Sequence, residues 1–146
     1  MPTLVVMTGL QGSGKSTFCR MYLSDFARIN LDELHTRNKE NAAIAEAIKM
    51  NRDIVIDNTN PTAEDRRKYI EIAKAAGYKP ICYFMQSKVK DCIERNQMRT
   101  GKAKVPNTAI AATSNKLEMP STDEGFEEIY YVSINDTGFA IEDWRE

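Results

Sequence analysis

Gly9-Leu10-Gln11-Gly12-Ser13-Gly14-Lys15-Ser16-Thr17 decides the reading of this chain, because it satisfies the pattern GxxxxGK[ST]. The chemistry of a phosphate cradle needs each part of it. Glycines let the backbone curl so that successive N–H groups point inward at phosphate oxygens. A helix opening at Lys15 adds its positive N-terminal end. Lys15 supplies a mobile charge for the β- and γ-phosphates of a nucleoside triphosphate, and the Ser16 hydroxyl can ligate Mg²⁺. At average glycine usage, chance produces this pattern in roughly one chain of this length in several hundred. Gly9, Gly12, Ser13, Gly14, Lys15, Ser16 and Thr17 are therefore the expected contacts to ATP.

Working outward, Leu4-Val5-Val6-Met7 reads as a buried strand running into the cradle, with a helix over about 15–23 behind it. Phe26-Ala27-Arg28-Ile29-Asn30 is a second strand. Ile44, Ala47, Ile48 and Asn51 fall at helical spacing before a third strand, Asp53-Ile54-Val55-Ile56-Asp57. Thr62 with Asp65 three residues on forms a capping box, opening a helix that Gly77 closes. Ile81 to Met85 is a fourth strand, Val89, Cys92 and Ile93 line one face of the next helix, and Ile129 to Ile134 is a fifth strand. Strands alternating with helices predict an α/β domain. Its mainly parallel sheet of about five strands carries helices on both faces. No repeat or linker interrupts it, so residues 1–146 are expected to form a single domain.

Composition agrees. Hydrophobic residues make up 42% and charged ones 28% of 146 residues, close to ordinary globular values. No apolar run approaches the roughly 20 residues needed to cross a bilayer, and the first residues lack a secretory signal. Three cysteines, Cys19, Cys82 and Cys92, with one histidine and no CxxC, suggest neither a disulfide framework nor a zinc site. A reducing cytoplasmic setting is expected. Charge is uneven along the chain. Asn60 to Lys104 holds eleven basic and five acidic residues, whereas Leu117 to Glu146 holds one and nine. Most of these charges suit solvated helix faces, although a basic middle also suits a protein that handles phosphates on one side.

Ligands of such folds bind beyond the carboxyl ends of the strands. Past strand two, Asn30-Leu31-Asp32 puts a carboxylate on the rim, where it can take the proton of an acceptor hydroxyl. Asp32 also suits a helix N-cap, and the two roles are compatible. Past strand three stands Asp57-Asn58-Thr59-Asn60-Pro61. Asp57 is either a metal ligand, directly or through water, or a structural acceptor that orders its loop. Asn58, Thr59 and Asn60 suit turn chemistry and substrate contact equally. Arg95 and Arg99, four apart, lie on one helical face, with Lys102 and Lys104 around Gly101. A basic lid over about 95–107 would stabilise charge on the transferred phosphate and exclude water; a basic helix end favoured by the macrodipole would look the same.

Taken together, the cradle, Asn30-Leu31-Asp32, the 57–61 block, and Glu94-Arg95-Asn96-Gln97-Met98-Arg99 resemble the kinase domain of the polynucleotide kinase family. Val105-Pro106, Pro120-Ser121-Thr122 and Glu124-Gly125-Phe126 extend the likeness over nearly the whole chain. The resemblance implies a P-loop kinase fold and transfer of the γ-phosphate of ATP, with Mg²⁺, to the 5′-hydroxyl end of DNA or RNA. It implies Lys15 and Ser16 on triphosphate and metal, Asp32 as general base, and Arg95 and Arg99 as lid arginines. Two departures bear on the acceptor. His35 stands three residues after Asp32, where the bacteriophage enzyme has an arginine for the acceptor's 3′-phosphate; Arg37 or Lys39 could compensate. The phosphatase signature DxDGT of bifunctional members does not occur. Adenine contacts are expected near Asn135 and Asp136. A small-metabolite kinase for a nucleoside or sugar and a non-catalytic ATP-binding module are the competing readings, and the oligomeric state is left open.

Overall fold

A computed structural model of the chain describes residues 1–101 and 104–145, so Lys102 lies outside the described residues. The strand before the cradle, β1 (Thr3–Thr8), is the central one. Its β-branched and aliphatic residues are buried on both faces, as a parallel strand between helical layers must be. Around it follow α1 (Lys15–Tyr22), β2 (Ala27–Ile29), α2 (Leu31–Leu34), α3 (Arg37–Lys49), β3 (Ile54–Ile56) and α4 (Ala63–Ala76). The chain continues through β4 (Lys79–Met85), α5 (Val89–Gln97), α6 (Asn107–Lys116), β5 (Glu128–Asn135) and β6 (Gly138–Asp143). Strand order is β2-β3-β1-β4-β5-β6, with the first five parallel.

β6 is antiparallel to β5 and raises the expected five strands to six. Its residues, Gly138-Phe139-Ala140-Ile141-Glu142-Asp143, lie half or fully exposed on an edge, which dilutes the apolar signal a buried strand would give. The turn before it is an Asx turn: Asn135 Oδ1 accepts from the Thr137 backbone N–H (3.0 Å) and hydroxyl (2.9 Å). α6 is an addition to the expected elements, and the helix that Asp32 was expected to cap begins earlier, at Leu31. Asn51, expected on a helix face, lies beyond the end of α3 with φ of 57°.

Strand alternation sorts the core into two layers. Leu4, Val6, Ile54, Ile56, Cys82 and Ile129 pack against Ile44 and Ala47 of α3 and Tyr69, Ile70 and Ala73 of α4. On the opposite face Val5, Met7, Val55, Met85 and Val132 pack against Phe18 and Cys19 of α1. A third cluster, Leu10, Cys92 and Ile110, ties the cradle to α5 and α6. The capping box of α4 is present, with Thr62 and Asp65 exchanging hydrogen bonds. One fully buried charge fastens α4 to the late chain: Arg66 donates to both carboxylate oxygens of Glu124 (2.8 and 3.0 Å) and to the Asn60 carbonyl (3.0 Å). Breaking such a pair from one side costs about 3–5 kcal/mol. All three cysteines are free and buried, and no helix among the described residues is long and apolar enough to cross a membrane.

Candidate active site

The cradle is held from behind by its neighbours. Gly9 N–H donates to the Thr59 carbonyl (3.0 Å) and Leu10 N–H to Ser87 Oγ (3.1 Å), so the loops after β3 and β4 set where the curl begins. Gln11 Nε2 donates to Thr113 Oγ1 of α6 (3.1 Å). Gly12 sits at φ of 81°, and a Cβ there would lie 2.4 Å from the Cys92 carbonyl oxygen. No side chain fits that gap, and L-residues rarely adopt that backbone. Gly14 abuts Ile134 and Phe139, which brings the β5–β6 hairpin, with Asn135 and Asp136 at its turn, alongside the start of α1. Thr17, in the first turn of α1, is exposed.

Lys15 is buried and bonds to the Gly9 and Leu10 carbonyls through Nζ (3.0 and 2.8 Å). Burial lowers its pKa to about 8; the nearby Asp57 carboxylate opposes that shift and the Arg99 guanidinium adds to it. Lys15 is thus folded against the loop backbone, with its charge made less favourable by burial. An anionic phosphate would satisfy both the charge and the donors. Ser13 is buried with its hydroxyl unpartnered.

Ser16 and Asp57 meet, as two metal candidates must. Ser16 Oγ donates to Asp57 Oδ2 (3.0 Å), and Asp57 is buried. Its other oxygen, Oδ1, is buried with no hydrogen-bond partner. A carboxylate oxygen in that state needs a cation or an ordered water, so the pair fits a hard, oxygen-seeking ion such as Mg²⁺. The sequence reading missed the third member. Arg28 on β2 donates through Nε to Asp57 Oδ2 (2.7 Å), through Nη2 to Ser16 Oγ (3.1 Å) and through Nη1 to Glu33 Oε1 (2.7 Å). Its pKa is held above the ordinary value: burial pulls down, and the bonds to Glu33 and Asp57 outweigh it.

Past β2, the cap of α2 is Asn30, whose side chain accepts from Glu33 N–H (3.1 Å). That leaves Asp32 in the first turn with its side chain exposed, and corrects the N-cap alternative. Asn30 Nδ2 also donates to the Asp57 carbonyl (2.7 Å), tying α2 to the end of β3. Asn58 is engaged at both ends. Its Oδ1 accepts from Leu31 N–H (2.9 Å), and its Nδ2 donates to Glu40 Oε2 (3.3 Å) and the Tyr69 hydroxyl (3.4 Å). Asn60, at φ of 42°, is pinned by Nδ2 to the Met7 carbonyl (2.8 Å). The side chains of Asn58 and Asn60 are thus framework parts, and Thr59 contributes its carbonyl to Gly9. His35 is exposed at φ of 69° as the C-cap of α2. Arg37 pairs with buried Glu40 (3.2 Å) yet keeps most of its side chain in solvent. Glu40 further accepts from Tyr69 (3.0 Å) and Lys68 (3.1 Å); no sequence signal marked it.

Arg95 reaches the cradle from α5, whereas Arg99 stands beyond the end of that helix at Gln97, so the two do not share a helical face. Arg95 Nη1 donates to the Gly12 carbonyl (2.9 Å), and Arg99 is close enough to Lys15 to depress its pKa. Buried Asn96 clips the segment's return, donating to the Val105 carbonyl (2.6 Å) and accepting from its N–H (2.9 Å). A cleft of about 650 Å³ bounded by Phe84, Ser87, Leu117, Met119, Tyr131 and Trp144 contains none of Lys15, Ser16, Asp32 or Asp57. The candidate chemistry lies instead on the open rim.

With this geometry in view, comparison with known proteins places the chain. A family model described as "AAA domain" matches residues 40–120, more than half of the chain. The chain belongs to this AAA domain family. The matched span runs from the buried Glu40 through α5 and α6 to Pro120, and the cradle precedes it. A bifunctional polynucleotide phosphatase/kinase of Schizosaccharomyces pombe is 32% identical over 98% of this chain, which spans 37% of that protein's length. An L-seryl-tRNA(Sec) kinase of Methanococcus maripaludis is 25% identical over 82% of the chain and 54% of its own length. Among solved structures, a gluconokinase from Sinorhizobium meliloti superposes with a TM-score of 0.65 at 20% identity, covering 92% of this chain and 84% of that one. This AAA domain therefore has the P-loop kinase fold.

Proposed function

We propose that this AAA domain is a polynucleotide 5′-hydroxyl kinase, transferring the γ-phosphate of ATP to the 5′ end of DNA or RNA. The observation that carries the reading is the exposed Asp32 carboxylate. It stands on the same rim as the cradle, two residues past Asn30, which caps its helix and donates to the Asp57 carbonyl. A polymer end needs such an open approach, whereas a small metabolite needs an enclosing pocket. Identity to the S. pombe protein over 98% of the chain supports it further.

In the mechanism, the cradle N–H groups and Lys15 bind and orient the β- and γ-phosphates. Asp32 accepts the proton of the attacking 5′-hydroxyl. Arg95 and Arg99 meet the charge that builds on the transferred phosphoryl oxygens. Ser16 and Asp57 would hold Mg²⁺, which when bound would supply positive charge against the phosphates. Arg37, anchored through Nη1 on Glu40 and with most of its side chain exposed, would take an acceptor phosphate from its position on α3. The three buried cysteines suit a reducing, cytoplasmic compartment.

Transfer of labelled γ-phosphate from ATP to 5′-hydroxyl oligonucleotides of DNA and RNA tests the reading. A nucleoside and gluconate run alongside represent the metabolite alternative. Label on oligonucleotides, lost with Asp32→Asn, is expected. Label confined to a small acceptor would replace the reading with a metabolite kinase.

A further inference from the structure

We propose that Arg28 is a resident counter-cation of the metal site. It holds Ser16 and Asp57 together when no metal is bound, and must yield when Mg²⁺ arrives with the nucleotide. This rests on the assignment of Ser16 and Asp57 above and goes beyond it by adding a residue that sets how strongly metal is demanded.

The local sequence explains how the side chain gets there. β2 is a three-residue edge strand in which Ala27 and Ile29 point into the core beneath α3 and α4. Alternation sends Arg28 to the other face, where the first turn of α1 presents Ser16. An arginine pointing inward also blunts a strand edge, but that purpose needs only one partner. Here the guanidinium uses all three nitrogens on three elements: Asp57 after β3, Ser16 on α1 and Glu33 on α2.

The bonding capacity of Ser16 and Asp57 makes the competition concrete. The Ser16 hydroxyl spends its hydrogen on Asp57 Oδ2 and one lone pair on Arg28 Nη2. Asp57 Oδ2 takes both Ser16 and Arg28, while Oδ1 takes no one. A buried carboxylate must be neutralised, and in this arrangement Arg28 supplies the charge. A divalent ion ligated by Ser16 would stand beside the guanidinium that already bonds the same hydroxyl. Two cations at one carboxylate repel strongly where water is scarce. Arg28 has a way out, because its Nη1 is already on Glu33, which is largely exposed on α2.

The test reads binding rather than catalysis. Calorimetry gives the Kd of the non-hydrolysable analogue AMP-PNP in EDTA and in excess MgCl₂; the ratio of the two measures the metal's contribution. In Arg28→Gln that ratio should rise about tenfold or more, the scale of removing one opposing charge beside the ion. In Glu33→Gln, a surface change that spares folding, it should fall, because Arg28 then has only its inner partners. In the double variant the Glu33→Gln effect should vanish. An unchanged or lower ratio in Arg28→Gln overturns the proposal. So does an undiminished Glu33→Gln effect in the double variant, which would be plain surface charge. If the unaltered protein binds the analogue equally well with and without magnesium, the metal assignment under the proposed function falls as well. A metal effect that is present but indifferent to Arg28 removes this inference alone.

Discussion

The two sides of the rim are built differently. On the donor side, the cradle is fixed by backbone: Gly9 on the Thr59 carbonyl, Gly12 wedged against the Cys92 carbonyl, Leu10 under Ser87. On the acceptor side, Asp32 rides on a four-residue helix whose place depends on side chains, Asn30 and Asn58, and behind them buried Glu40 and Tyr69. A backbone-built site must use particular residue types at particular spacings. A side-chain-built site can recruit its supports from anywhere in the chain. The first kind is rigid and recognisable, and the second can be adjusted one support at a time, as the proposed acceptor site would require.

Substitutions on each side should separate the two. Lys15→Ala is expected to lower phosphoryl transfer about a thousandfold or more, with weaker ATP binding, since the charge serves donor binding and the transition state together. By contrast Asp32→Asn should cost about a hundredfold or more in turnover while the calorimetric Kd for ATP stays put. Loss of ATP affinity in that variant would collapse the distinction between the sides. Arg99→Ala should slow transfer roughly tenfold to a hundredfold while shifting unfolding stability by less than about 0.5 kcal/mol. Equal losses in both would make it a structural residue. Glu40→Gln sharpens the comparison from the acceptor side. It should raise the oligonucleotide KM several-fold and leave ATP binding alone, and denaturant unfolding should show a loss of about 2 kcal/mol.

The smallest effect is on pH. Free Lys15 has a pKa near 8, pushed down chiefly by burial, and bound phosphate will raise it. Binding therefore takes up a proton above that pH, and ATP affinity should fall about fivefold between pH 8 and 9. Calorimetry in two buffers of different ionisation enthalpy measures the uptake directly. The same depressed pKa means that the charged lysine disfavours folding below pH 8, and this penalty eases as pH rises toward the unfolded value of 10.5. Apo stability and ATP affinity should thus move in opposite directions over that interval.

The same division explains what could be read in the chain before its structure. The cradle, the strand before it and the capping box at Thr62 are local patterns with a local physical cause, and all are found in place. β6 escaped notice because its apolar residues Phe139, Ala140 and Ile141 sit together between Gly138 and the acidic pair Glu142-Asp143, half or fully exposed, without the buried alternation that marks a strand. Arg28 looked like one polar residue in a short strand; only the meeting of β2, β3 and α1 gives it three acceptors. Glu40 and Asn96 are distant partners of Asn58 and Val105, and no spacing rule links such pairs. Arg28 did carry one usable signal, a cation flanked by Ala27 and Ile29, whose alternation places it on the α1 face.

The cysteines have a practical consequence. Burial pushes the Cys19 and Cys82 thiols up to about 12 and raises Cys92 as well. At neutral pH almost none is thiolate, the form that attacks maleimides and iodoacetamides. Surface reagents should therefore leave the native protein untouched. A single cysteine introduced at exposed Met98, between Arg95 and Arg99, would carry a fluorophore in an otherwise unaltered background and report directly on what nucleotide binding does to that segment.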